Sequence, residues 1–180
     1  MKIVFILLLS IHLFAGIKEN MFSLYQNNKY NDVCSIGFNN LYAHSKDEEF
    51  VSLYAFSCLK SDYIDRLAIP ITMLKFTQES RSNAAYLSVI LMQKKLLYHA
   101  LLDGYDISEL KLPTTDYVLS KVFDLYAQLQ KHDPRIFYIF EDENDHKLTY
   151  KLYLSKDKRV KKMVIEEFYE TTMLKQHIYW

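Results

Sequence analysis

The sequence predicts an α+β protein: a mainly helical, repeat-like array of hairpins followed by a small C-terminal antiparallel β-meander. Three observations carry that prediction. Apolar residues recur at helical spacing from about residue 19 to residue 132. After Pro134 the period drops to two, as in "KLTYKLYLS", where Leu148, Tyr150, Leu152 and Leu154 alternate with Lys147, Thr149, Lys151 and Tyr153. Three glycines and three prolines in 180 residues disfavour an all-β chain, which would need many tight turns.

The first sixteen residues, "MKIVFILLLSIHLFAG", set Lys2 before an apolar run from Ile3 to Phe14 that only Ser10 and His12 interrupt, and then small residues. This is the pattern of a secretory signal peptide. The run is shorter than the ~20 apolar residues that a membrane-spanning helix needs, so no stable span is expected after cleavage. No cysteine follows that could carry a lipid. A short, weakly basic leader suits bacterial export, and the expected address is the periplasm. The expected organisation is a signal peptide over 1–16, a helical repeat-like domain over 17–132 and a β appendage over 133–180. Loss of Lys2 leaves 21 basic residues against 22 acidic ones, which argues against nucleic acid as a partner.

The elements follow in order. Met21, Phe22, Leu24 and Tyr25 mark a first helix from Glu19 to Asn27, and "NNK" interrupts it before a second helix from Tyr30 to Tyr42 with Val33, Cys34, Gly37, Phe38 and Leu41 on one stripe. In "HSKDEEF", Ser45 and Glu48 fit a capping box at the start of a third helix from Lys46 to Lys60. A fourth begins near Asp62 and is expected to kink or stop at Pro70. Residues Ser80 to Asp103 form the longest helical pattern, apolar on nearly every side in "AAYLSVILM" and so expected to be central and buried, with Gly104 ending it. A last helix runs from Thr114 or Thr115 to about Lys131. "RIFYIF" and "KLTYKLYLS" then predict two antiparallel strands joined through "EDENDH". The tail from Arg159 suits either a helix or two more strands, and strands are favoured because an isolated two-stranded ribbon is marginal.

In "LYQNNKYNDVCSIG", Tyr25 stands three residues before Asn28, five before Tyr30 and eight before Val33, a spacing that resembles the turn of tetratricopeptide repeats. "CLKSDYIDRL" resembles a second copy, with Ser61 in the turn and Tyr63 in the aromatic place, 33 residues after Tyr30. Asn28 stands where the family has glycine, Val33 where it has a small residue, Arg66 falls where Val33 did, and Pro70 comes early. The resemblance covers roughly residues 20 to 75. It implies stacked hairpins that bury their apolar faces on one another and expose a groove for other proteins. The corresponding candidate contact residues are Tyr25, Tyr30, Tyr63 and Arg66. A second candidate surface is the basic stretch "KDKRVKK", with Lys156, Lys158 and Arg159, opposite in sign to "EDENDH" and suited to an acidic partner or to guarding a strand edge.

Cys34 and Cys58 lie symmetrically about Lys46, so an antiparallel pairing of the second and third helices would bring them level. In an oxidising compartment they could form a disulfide worth ~3 kcal/mol; the alternative is two thiols buried in separate parts of the core. No closely spaced cysteine pair suggests redox catalysis, and no two histidines of the exported chain stand at helical ligand spacing. His99 is expected to be a satisfied core residue. "DENDH" lacks the glycine and the distal glutamate of a calcium loop. "TQESRSN" fits a helix cap with a solvated Glu79–Arg81 pair better than a catalytic group. No nucleophile elbow, phosphate-cradling loop or zinc-protease motif is present, so no catalytic residue, cofactor or metal is assigned. The expected role is that of a non-enzymatic adaptor or scaffold binding another envelope protein. Exported, short, tyrosine-rich and glycine-poor, the chain is similar in type to accessory proteins of bacterial envelope machines such as the flagellar motor. The alternative is a module for a small ligand or a cell-wall fragment, with an aromatic pocket and hydrolytic capacity.

Overall fold

The computed structural model describes residues 16–129, 134–156 and 159–180. Six α-helices precede a four-stranded antiparallel sheet: α1 over residues 16–26, α2 Tyr30–Asn40, α3 Glu48–Lys60, α4 Ala68–Met73, α5 Gln78–Asp103 and α6 Val118–Ala127, then β1 Tyr138–Glu141, β2 Leu148–Leu154, β3 Met163–Tyr169 and β4 Thr172–Tyr179. This is the α+β architecture expected from the change of period, and the tail forms strands. No helix among the described residues is long and apolar enough to cross a membrane. The chain divides into two compact units, Met1–Ala84 and Ala85–Trp180, with α5 running through the division. The expected signal peptide lies outside the described residues apart from Gly16, which is helical.

The first unit is a stack of short helices joined by two matching elbows. At each elbow a non-glycine residue takes a left-handed conformation, Asn28 with φ +58° and Asp62 with φ +64°, 34 residues apart. Asn and Asp enter that region at less cost than other side chains, which is how the chain dispenses with glycine here. The hydrogen bonds repeat as well. Lys29 N donates to Leu24 O at 2.9 Å, and Tyr63 N donates to Cys58 O at 2.9 Å. The offset therefore equates Tyr63 with Lys29, and Leu67 with Val33; both Leu67 and Val33 are fully buried. The 33-residue alignment of Tyr63 with Tyr30 was one residue out of register, and Arg66 does not replace Val33. Asp62, and not Ser61, occupies the left-handed position.

Local chemistry also corrects the expected helix boundaries. Asp47, and not Ser45, caps α3, its carboxylate accepting from Phe50 N at 3.1 Å. Pro70 does not stop the fourth helix. A 3-10 turn over Ile64–Leu67 leads into α4, and Pro70 sits in its first turn, where a missing amide costs little. Helices α2 and α3 approach so closely at Gly37 that a Cβ there would lie 2.5 Å from Tyr54 Cδ2. The Cys34–Cys58 disulfide joins the same two helices, with Cα atoms 4.8 Å apart, as their symmetry about Lys46 suggests. Met21, Phe50, Val51, Tyr54, Ile64 and Leu67 complete this core.

The second unit sets the remainder of α5 and α6 with a meander of strand order β1-β2-β3-β4. Tyr138, Phe140, Tyr150, Leu152, Met163, Ile165 and Tyr179 are buried along the strands, and Leu87, Ile90, Leu97, Leu119, Val122, Phe123 and Tyr126 along the helices. Burial of α5 is confined to a stripe: Met92 and His99 are exposed. His99 is thus not a core residue. It stacks on Tyr105 with ring centroids 4.7 Å apart and lies 3.6 Å from Asp103. Gly104, at φ +71°, ends the helix as expected. Helix α6 starts at Val118 behind Tyr117, later than the expected threonine cap.

Candidate functional site

The described site is an open cleft of about 1070 Å³ in the first unit. It is built from one side of α1, the start of α3 and the start of α5. Phe22, Tyr25, Leu53 and Phe56 supply apolar surface; Glu19, Asp47, Glu48, Glu49 and Glu79 supply five carboxylates against one lysine, Lys18. The 34-residue offset explains why these side chains share a surface. Lys18 and Ser52, Glu19 and Leu53, Phe22 and Phe56 are equivalent pairs in α1 and α3, and all of them line the cleft together with Glu49 and Asn83. Repeated hairpins place equivalent positions on one face, and that face is the cleft.

Two of the acidic groups are fixed by structural work. The Glu48 carboxylate accepts from the amides of Lys75, Phe76 and Thr77 at 2.7, 2.7 and 3.0 Å, and so pins the turn before α5. Desolvation pushes its carboxyl up, but the amides of Phe76, Lys75 and Thr77 outweigh that and hold it at about 2. Asp47 caps α3 and pairs at 3.0 Å with Lys18 Nζ, which also reaches Glu49 Oε2 at 2.5 Å. Desolvation lowers the Lys18 pKa, and the Glu49 and Asp47 carboxylates more than compensate, keeping the ammonium charged above its ordinary range. Glu19 and Glu79 are exposed on α1 and α5. Thr77 caps α5, its hydroxyl accepting from Ser80 N at 3.1 Å, while Arg81 donates to the carbonyls of Lys75 and Phe76.

Of the candidate contact residues named from the sequence, Tyr25 alone among the described ones lines this cleft. It packs edge to face on Tyr30 at 5.1 Å, and the Tyr30 hydroxyl donates to Asn28 Oδ1 at 2.6 Å, so Tyr30 stabilises its elbow. Arg66 is clamped between the rings of Phe38 and Tyr63, 4.8 and 4.6 Å from their centroids, and donates to Cys34 Sγ at 3.3 Å. That places Arg66 and Tyr63 around the disulfide. Lys156 and Arg159 are exposed in the connection between β2 and β3, in the second unit, and Lys158 lies outside the described residues. Sequence reasoning missed Phe22, Asp47, Glu49, Phe56 and Glu79 as members of one surface. The acid run "DEE" and the Phe22–Phe56 spacing of 34 were the available signals, and they became legible only in the right register.

The cleft combines apolar surface with carboxylates, one lysine and the imidazole of His44. Among the described residues no three His, Cys, Asp or Glu side chains are grouped to hold a metal. Both cysteines are committed to the disulfide. The Thr77 hydroxyl donates to Ser80 Oγ and accepts from the Ser80 amide, and Ser52 Oγ accepts from Asn83. No protein-family model matches the chain, and no curated protein or solved structure matches it.

Proposed function

We propose that this chain is a non-catalytic adaptor or assembly factor of the bacterial cell envelope, exported to the periplasm, whose helical unit docks another envelope protein. The carrying observation is the cleft: aromatic and aliphatic side chains from α1 and α3, left open and rimmed by carboxylates. Stacked hairpins with elbows 34 residues apart make such a face as a by-product of burying their cores. The Cys34–Cys58 disulfide supports an oxidising compartment. An accessory role in a large envelope machine, such as the flagellar motor, fits an exported, glycine-poor, tyrosine-rich chain of 180 residues.

The test is chemical crosslinking in the native cell followed by affinity capture, run beside thermal-shift measurements with purified cell-wall fragments. A discrete heteromeric adduct and an unmoved melting temperature are expected. Self-adducts alone, together with stabilisation by wall fragments, would replace this reading with that of a cell-wall or small-ligand binding module.

A further inference from the structure

The cleft itself contains information about what docks in it. We infer that the partner presents a basic, amphipathic peptide segment, with lysine or arginine flanking apolar side chains; this inference rests on the adaptor reading. The lining carries five carboxylates and one lysine, and that lysine is already neutralised between Asp47 and Glu49. Glu48 is consumed by three backbone amides. Glu19 on α1 and Glu79 on α5 remain exposed to solvent, in the same lining as Phe22, Leu53 and Phe56. An acidic segment would meet like charge at Glu19 and at Glu79. A neutral one would leave those two carboxylates partly desolvated with no counter-charge.

Lys18 shows that an ammonium is held at this surface by carboxylates, its Nζ at 3.0 Å from Asp47 and 2.5 Å from Glu49. The cleft is open, and Phe22 stands 55% exposed within it. A large open ring beside acidic groups suits the side chains of a segment, where apolar contact gives affinity and charge gives orientation. Guanidinium and ammonium groups also gain from the faces of aromatic rings.

The test uses the exported form and fluorescence anisotropy of a labelled, amidated peptide carrying leucine and lysine at helical spacing. Its counterpart with glutamate in place of lysine, and spermine, serve as competitors. The lysine peptide is expected to bind, to weaken as salt rises, and to lose affinity roughly two- to tenfold in the Glu19→Gln/Glu79→Gln double variant. Phe22→Ala is expected to weaken binding without changing its salt dependence. Circular dichroism melts check that both variants fold, and both changes are at exposed positions. Equal binding of the glutamate peptide, full displacement by spermine, or an unchanged affinity in the double variant would overturn the inference. A native partner crosslinked through an acidic segment would overturn it too while leaving the adaptor reading standing. Absence of any protein partner in the cell would remove both.

Discussion

The two units hold themselves together by different means. In the first, covalent and steric devices dominate: the Cys34–Cys58 bond and the Gly37–Tyr54 approach lock α2 to α3, and the elbows repeat at Asn28 and Asp62. In the second, which has no cysteine, buried polar groups do the equivalent work. Asp142 accepts from Tyr150 Oη at 2.7 Å, from Lys121 Nζ at 3.1 Å and from Asn144 N at 2.9 Å, tying β2 and α6 to one carboxylate. His177 Nε2 lies 2.7 Å from Glu167, the Tyr117 and Tyr179 hydroxyls are 3.2 Å apart, and the buried Lys94 ammonium donates to the Trp180 carbonyl. The lesson concerns function. Short helices stapled at one level can leave a wide apolar and acidic face uncovered, whereas a sheet held by internal hydrogen bonds spends its polar side chains on itself.

That contrast can be broken most forcefully at the disulfide. Cys34→Ser/Cys58→Ser, or reduction of the wild type, should cost about 3 kcal/mol, and hydrogen exchange should show the loss concentrated in residues 16–84. Equal loss of protection in both units would refute the division of labour. Gly37→Ala comes next. Its methyl would overlap the Tyr54 ring and β-carbon, and about 2 kcal/mol of destabilisation in urea melts is expected, with Gly37→Ser no better.

Acid probes the second unit. The Tyr150 hydroxyl bond is the main cause holding the Asp142 carboxyl at about 2, with the Asn144 amide and Lys121 adding to it against desolvation. Its folded pKa is below its unfolded value, so the stability it contributes is complete above pH ~4 and disappears as pH falls through about 2. Asp142→Asn should cost about 1 to 2 kcal/mol at neutral pH, and the gap from wild type should close over that acid window. A gap independent of pH would show that the carboxylate charge is not what stabilises the turn. The smallest expected effect is at the elbows, where Asn28→Gly and Asp62→Gly relieve a left-handed side chain and should each change stability by about 0.5 kcal/mol or less. Effects of the same sign at the two sites would support their structural equivalence.

Much of this fold was legible because it rests on local period. The helices, the switch to alternation after Pro134 and the choice of strands for the tail all follow from which faces can be buried. The disulfide was legible from symmetry within one hairpin. The site was legible only as a class of surface. Ser45 and Glu48 satisfy the capping pattern, and sequence cannot show that Asp47 takes that role while Glu48 crosses 27 residues to the amide of Lys75. Tyr63 and Arg66 looked like contact residues because they follow an elbow, but the left-handed residue sets the register, and it is Asp62. His99 sits in an apolar run yet faces outward, because it is one residue from Ala100 and two from Leu97, a rotation of roughly 100° and 200° around the helix away from the buried stripe of Lys94, Leu97 and Ala100.

The most direct test of the docking claim places a photo-crosslinking amino acid at Phe22 in the exported protein, in its native cell, with the same group at Tyr63 as a reference. The account predicts a single discrete adduct with another envelope protein from position 22, and much less from position 63, which packs beside Arg66. Equal yields from both positions, or only adducts between copies of this chain from position 22, would contradict it.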